Sequence, residues 1–431
     1  MKYYLSKYKF IYILIFIFLI LSLGFSNFLS KADTDFYDPA GDTRSYLSLA
    51  ESLNETRNFV RLEYGGYGVE TIRTPIYPLI MMVFLENLKF LILVQTLLHI
   101  TSALMIFKLV STFLKQKFSL FVFFIFLFNP TLFSLSQMLI TETISIFLIV
   151  LSIYVYTEKK SKLVFYLIVG LLPLLRPAFI VLSFGMVLFI KIFEKEFDKK
   201  KTMIAIFLLV LPSLVWTARN FEKTEMVIFS SLSGMNLLEE TASGVMAINE
   251  DIEEEESFFE VINVEYEERR YWSQVLRNEV ALGNMSRVIA NAPGPSPHLV
   301  ASEYQSYAVK KILENPLELI ILVVRSFTFL ILESGDHLVG YVFELSNLKI
   351  YEIFVIFTNG VVVFFAWKFI IGTIFIDKTI DSLIIIYFLV LTPLLMLATP
   401  HARFGSVLIF FHLYFLSREL EKYFVDGNGD I

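Results

Sequence analysis

Apolar residues run without alternation for stretches of roughly 20 residues, and polar residues gather between these stretches rather than within them. Such runs predict helices able to cross a bilayer. Unbroken runs also exclude a transmembrane β-barrel, whose strands alternate between apolar and polar positions. The first run, Phe10–Leu29, follows Lys2, Lys7 and Lys9. Its length, and the absence of a small-x-small cleavage site, predict an uncleaved anchor. Lysine ahead of it places the N-terminus in the cytoplasm and the following polar stretch outside. In that stretch Tyr46, Leu49, Ala50 and Leu53 share one face of a short helix suited to the membrane surface. A second short segment, Ile76–Leu85, is too brief to cross alone.

Further apolar runs cover Leu88–Val110, Phe118–Phe133, Met138–Tyr156, Val164–Leu175, Ala178–Phe193 and Met203–Ala218. Their linkers alternate in charge. Lys115 and Lys117, the stretch Glu158 to Lys162, and Lys191 to Lys201 fall on one side. The opposite turns, at Asn129-Pro130 and Arg176-Pro177, are short. This alternation follows the positive-inside rule. Val164–Leu175 and Ala178–Phe193, interrupted at Arg176-Pro177, predict a hairpin that does not fully cross. A long polar region follows from Arg219 to Asn315, with an acidic run from Glu250 to Glu256 and a break at Ala292 to Pro297. The acidic run reads as a solvated face, since its crowded carboxylates lack ligand spacing. Leu317–Leu332, which contains Arg325, then Ile350–Ile371, Leu383–Ala398 and Phe404–Leu416 complete the pattern. Counting all of these as crossings leaves the C-terminus outside. Demoting Leu317–Leu332 to an oblique helix brings it inside, beside Arg418 and Lys422. Three regions result: an N-terminal transmembrane module (1–218) whose first outer loop is 31–78, an outer loop region (219–315), and C-terminal transmembrane helices (316–431).

Composition agrees with a membrane protein. The hydrophobic share is 56% and 45 residues are Phe, against about 45–50% apolar in soluble domains. Cysteine is absent, which excludes disulfides, thiolate catalysis and Cys-ligated metals. The net charge is −6, and no basic stripe calls for nucleic acid.

Candidate chemistry concentrates at the outer ends of the runs. Asp42 precedes the amphipathic segment in the first outer loop, where a carboxylate can take a proton from an acceptor hydroxyl. An N-cap is the competing reading of the same residue. Asp33, Asp35 and Asp38 are rivals that no periodicity places. Glu142 lies near the outer end of its run, where an ionisable group is either paired for packing or functional. Arg73, Arg176, Arg219 and Arg403 also border apolar runs on the presumed outer side. Interfacial snorkelling accounts for single arginines. Together they form a set of forks suited to a lipid phosphate. His401 beside Arg403 is a metal ligand only with Glu142 or Asp42 as partner; otherwise it is a hydrogen-bonding residue at a helix end. There is no phosphate-binding Gly-rich loop and no nucleophile elbow.

These residues stand in motifs that resemble a known family. Asp42-Thr-Arg-Ser-Tyr-Leu-Ser-Leu-Ala-Glu-Ser-Leu, followed by Arg73-Thr-Pro-Ile-Tyr-Pro, resembles the first-loop signature of bacterial GT-C glycosyltransferases related to the dolichyl-phosphate-mannose protein mannosyltransferases. Thr141-Glu-Thr, Leu175-Arg-Pro, Trp216-Thr-Ala-Arg-Asn-Phe, Ser233-Gly-Met-Asn-Leu-Leu and Ala402-Arg-Phe follow in the family's order. The resemblance implies an all-α polytopic membrane protein, a GT-C-like bundle of about 10–11 transmembrane helices with helices in its outer loops. It implies an inverting transfer of a sugar from a polyprenyl-phosphate donor at the outer face of the cell membrane. It gives Asp42 the catalytic role, with Glu142, Tyr46 and His401 lining the site. Arg73, Arg176, Arg219 and Arg403 would then hold the donor phosphate. Arg403-Phe404 lacks the proline that usually follows the final family motif. No cofactor is assigned, and a divalent metal is left open. The acceptor, whether protein, lipid or polysaccharide, is not specified. The rival classes are a transporter or flippase for lipid-linked saccharides and an O-antigen ligase or polymerase.

Overall fold

The computed structural model describes residues 9–29, 42–61, 69–158, 161–194, 197–248, 271–277, 297–332, 364, 367–369, 379–398 and 402–424. Among these, all regular structure is helical. The chain begins with α1 (Lys9–Leu29), α2 (Asp42–Thr56) and the short α3 (Ile76–Val83). Then come α4 (Leu88–Val110), α5 (Gln116–Leu127), α6 (Pro130–Ser136), α7 (Glu142–Thr157), α8 (Lys162–Leu175), α9 (Ile180–Phe193) and α10 (Lys199–Thr224). The second polar region contributes α11 (Leu232–Asn236), a π-helical stretch (Leu237–Ala242), α12 (Ser243–Ile248) and α13 (Pro297–Glu314). The chain closes with α14 (Pro316–Leu332), α15 (Thr379–Ala398) and α16 (Ala402–Phe424).

Local sequence explains the helix ends. The Asn87 side chain accepts from Phe90 N at 3.3 Å and starts α4, and that of Asp198 accepts from Lys201 N at 2.7 Å and starts α10. The expected single helix over Phe118–Phe133 is instead two, α5 and α6, bent by 52°. Asn129 caps the second helix through Leu132 N at 3.0 Å, and Pro130 fills its first position. Proline lacks the N–H that would continue the α5 ladder. The expected Met138–Tyr156 helix likewise starts late, at Glu142. The turn before it has backbone carbonyls bonded by side chains: Thr43 Oγ1 donates to Leu139 O at 3.0 Å.

Between α8 and α9 the chain reverses. Arg176 is extended (φ −140°, ψ 122°), as a residue before proline must be, and Pro177–Phe179 form one 3-10 turn. Each arm holds 14 residues. At 1.5 Å rise per residue an arm spans ~21 Å, against a hydrocarbon core of ~30 Å. Lys162, at the start of one arm, pairs with Glu194, at the end of the other. The hairpin therefore opens at a lysine-bearing end and turns at Arg176, as the sequence predicts. Its first arm lies close against α10. A methyl group on Gly170 would stand 2.2 Å from Leu208 O, so only glycine admits this approach.

Two helices, α4 and α10, are long and apolar enough to cross a membrane, or three if α5 and α6 count as one bent span. Shorter apolar helices, α7, α8 and α9 among them, fall below that length. Among the described residues, single helices therefore do not reach the number of crossings that the apolar runs suggest. The main apolar core joins α1, α4 to α10, α15 and α16 through residues such as Phe18, Phe123, Phe165, Tyr387 and Phe411. The apolar face of the first-loop helix α2 packs on protein, while Arg44 and residues 54–56 are exposed. Tyr46 and Ala50 are buried with Tyr77 and Met81 of α3, Leu139, Ile144 and Leu175. The runs 250–256 and 350–363 lie outside the described residues, as does most of the break at 292–297.

Candidate functional site

That second, smaller apolar cluster organises the site. It gathers α2, α3, the first turn of α4, the turn before α7 and the last residue of α8. The residues it brings to one place are those that begin or end helices, and several of these carry charge.

Asp42 is the first residue of α2, and its Oδ1 accepts from Arg73 Nη2. Arg73 stands before α3, and its guanidinium lies 5.1 Å from the centre of the Tyr46 ring. Tyr46 in turn meets Tyr77 edge-on, with ring centres 4.9 Å apart. On the neighbouring elements Glu142, fully buried in the first turn of α7, pairs with Arg176 at 2.9 Å from Nη1 to Oε1. The N-terminal turn of a helix favours a carboxylate, because unpaired N–H groups and the helix dipole face it. The extended backbone before Pro177 leaves Arg176 at the hairpin tip.

Tyr46 is within electrostatic reach of both ion pairs and in direct ring contact with Arg73. Burial pushes its phenol above the ordinary tyrosine value; Arg73 pulls it down, Asp42 pushes it up, and Arg176 and Glu142 act with the same opposed signs. Burial alone would lower the Arg73 guanidinium, but Tyr46, Asp42 and Glu70 together hold it above its ordinary value. Arg73 is thus a permanent cation in a half-enclosed place, with 16% of its side chain exposed. Its Nε is buried and has no hydrogen-bond partner.

Glu70 is the residue that the sequence reading missed. It is buried. One oxygen accepts from Ile72 N and from Arg73 N, the latter at 2.8 Å. The other pairs with Arg61. Its backbone carbonyl accepts from Arg219 Nη1 at 2.7 Å. The loop it holds is also fastened to the start of α11: Ser231 N donates to Thr71 O at 2.8 Å, and Ser230 Oγ to Ile72 O at 2.7 Å. A carboxylate that collects backbone N–H groups in this way fixes the loop's shape. Its only trace in the sequence is an acid three residues before Arg73.

The expected convergence of four arginines is therefore only partly visible. Arg73 lies against Tyr46, and Arg176 is within electrostatic reach of it. Arg219 is turned to the loop instead. It bonds the Glu70 carbonyl, Asn220 Oδ1 at 2.8 Å and Phe59 O at 3.3 Å, and it lies over Trp216 and Phe59. In this structure it anchors the loop that carries Arg73, rather than offering a free fork to a phosphate. Arg403 belongs to the first turn of α16, but its side chain lies outside the described part, as do His401, Asp33, Asp35 and Asp38. Among the described residues no group of His, Asp and Glu is arranged to hold a metal.

Chemically, two carboxylate–guanidinium pairs on adjoining elements provide both a proton acceptor and fixed positive charge for an anion. The Asp42 pair is the accessible one, since the Glu142 side chain is wholly enclosed. Comparison with family models, curated proteins and solved structures gives no match.

Proposed function

We propose that the chain is a multi-pass membrane glycosyltransferase that moves a sugar, with inversion, from a polyprenyl-phosphate donor to an acceptor at the outer face of the cell membrane. The observation that carries this reading is the gathering of two ion pairs, Asp42–Arg73 and Glu142–Arg176, on elements joined by one small apolar cluster, both within electrostatic reach of Tyr46. The site lies at the ends of helices whose other ends carry Lys108, Lys162 and Lys199 to Lys201. The positive-inside rule supports a cytoplasmic side for those lysines and an outer side for the site. The order of motifs that resemble the GT-C family supports the same reading.

In this mechanism the donor phosphate takes the Arg73 guanidinium, whose buried Nε has donor capacity left. Asp42 is then released from its ion pair and faces the acceptor hydroxyl. The acceptor oxygen attacks the anomeric carbon while its proton passes to Asp42. The bond from that carbon to the phosphate oxygen breaks, and polyprenyl phosphate departs as an anion. Arg73 meets this charge without reorganising, which is where fixed cations are most effective. Arg176, held by Glu142, adds positive potential from the neighbouring pair. Arg219 and Glu70 keep the Arg73 loop in shape.

Purified protein in lipid discs, supplied with polyprenyl-phosphate sugars and candidate acceptors, tests the reading. Release of polyprenyl phosphate together with glycosylated acceptor is expected. General-base removal costs about 10²–10⁴-fold, and Asp42→Asn should lose turnover on that order while inserting in the membrane as wild type does. Movement of the lipid-linked sugar across vesicles without bond cleavage would replace this reading with transport.

A further inference from the structure

A buried polar residue inside an apolar helix needs a reason, because an unsatisfied amide in such surroundings is costly. Gln95 lies two turns into α4 and is fully buried. Its Oε1 accepts from Tyr77 OH at 2.9 Å. Its Nε2 donates to Met138 O at 2.6 Å and reaches Ser136 O at 3.5 Å. The orientation of the amide is dictated by its partners. Met138 O accepts only, so the nitrogen faces it and the oxygen faces the phenol.

The two partners belong to the two halves of the site. Tyr77 stands in α3, four residues after Arg73, and meets Tyr46 edge-on beneath the Arg73 guanidinium. Met138 begins the non-helical turn that leads to Glu142. That turn is also held from the Asp42 side, where Thr43 Oγ1 donates to Leu139 O at 3.0 Å. Behind Gln95 the network continues through Gln137, whose amide nitrogen donates to Thr96 Oγ1 at 3.2 Å and Ser136 Oγ at 2.9 Å. Ser22 of α1 donates to Gln137 Oε1 at 3.2 Å. The end of α6 and the turn before α7 are thereby fixed to α1 and α4 by side chains rather than by helix continuation.

We propose that Gln95 is a positioning residue that sets the separation of the Asp42–Arg73 and Glu142–Arg176 pairs by bonding Tyr77 on one side and the Met138 carbonyl on the other. Its role in turnover rests on the glycosyl-transfer reading above; its geometric role does not. A single buried amide bonding both halves leaves neither free to shift alone, and such networks are stronger when every member is satisfied. Gln95 touches neither substrate nor reacting atoms.

The test uses the absence of native cysteine. Thr43→Cys with Leu139→Cys puts one thiol on each half, at the two residues now joined by the bond from the Thr43 hydroxyl to the Leu139 carbonyl, and their disulfide yield under mild oxidation reports how well the two halves are held. Gln95→Met, of similar length but apolar, removes the bonds to both Tyr77 and Met138 O and should lower that yield at least threefold. Tyr77→Phe, a milder change that keeps the ring, should lower it in the same direction. Combining Tyr77→Phe with Gln95→Met should add nothing, because both remove the same bond. In chains with Thr43 and Leu139 intact, kcat should fall about tenfold with donor KM nearly unchanged, as expected of misplacement rather than lost binding. An unchanged cross-link yield in both Gln95→Met and Tyr77→Phe, or full additivity of the two, overturns the proposal. Should the wild-type chain turn over no donor, the glycosyl-transfer reading falls, while the cross-linking still decides the role of Gln95.

Discussion

Arg418 and Arg73 sit at opposite ends of the helical bundle, and their guanidinium groups are used in opposite ways. Arg418, in the last turns of α16, gives Nε to Asp381 Oδ1 at 3.0 Å, Nη2 to Asp381 Oδ2 at 2.6 Å and Nη1 to Glu421. Tyr414 OH donates to the same Asp381 at 2.7 Å, and Phe113 lies under the guanidinium at 4.6 Å. Every nitrogen of this fork has a partner. Arg73 gives Nη2 to Asp42 and leaves a buried Nε unpartnered. A closed network of the first kind joins helices and has no capacity for a ligand. An open one of the second kind is poorly explained by packing, since a buried donor without an acceptor costs stability. The contrast makes the Arg418 end architectural and leaves at the Arg73 end the spare donor that the proposed anion binding requires.

The largest effect should come from breaking the closed end. Arg418→Met leaves Asp381 and Glu421 without their cation in a buried setting, and removal of one partner of a buried pair typically costs about 3–5 kcal/mol. Thermal unfolding in detergent should fall accordingly. Replacing both partners, Arg418→Met with Asp381→Leu, should recover most of the loss, because no uncompensated charge remains. If Arg418→Met is tolerated with no change in unfolding, the network is not architectural and the contrast with Arg73 dissolves.

A smaller and different effect is expected at the open end. Arg73→Lys keeps the charge but loses the planar fork. Donor turnover should fall about tenfold, the equivalent of ~1.4 kcal/mol, within the range of a charge-assisted hydrogen bond. The unfolding temperature should stay close to wild type, since the pair is partly exposed and such pairs contribute little to stability. A large loss of stability with unchanged turnover would make Arg73 a second Arg418.

The two ends also differ in how legible they were. Asp42, Arg73, Glu142 and Arg176 stood out because each is a charge bordering an apolar run, which is costly unless it has a purpose. The breaks at Asn129-Pro130 and Arg176-Pro177 were legible because proline restricts itself and the residue before it. Long-range partners were not. Arg219 carried the same positional mark as Arg73, yet its acceptors are backbone carbonyls of residues 59 and 70, brought to it by folding alone. Glu70 lies in a polar stretch without periodicity, and nothing local shows that it gathers the N–H groups of Ile72 and Arg73. Gln95 reads in sequence as a tolerated polar residue in an apolar helix. The Arg418–Asp381 network was read only as positive charge that bears on topology, since its partner is 37 positions away.

The smallest expected effect is at alkaline pH, and it concerns Tyr46 beside Arg73. Burial comes first in raising its phenol above the ordinary tyrosine value, with Arg73 opposing and Asp42 assisting. A phenol whose folded value is raised keeps its proton in the native state after the unfolded chain has lost it. Its contribution to stability is therefore complete below pH ~10 and is lost as pH rises from there through the raised value. Near neutral pH Tyr46→Phe should leave the fold's pH response unchanged. Above pH 10 the wild type should lose stability more steeply than Tyr46→Phe, read as unfolding temperature against pH. The tyrosinate absorbance assignable to Tyr46 by difference should appear later than that of the exposed Tyr271. Arg73→Met removes the opposing cation, so in that variant the Tyr46 transition should move to still higher pH. If Tyr46 ionises together with the exposed tyrosines, it does not occupy the enclosed place beside Arg73, and the open end is more hydrated than its geometry indicates.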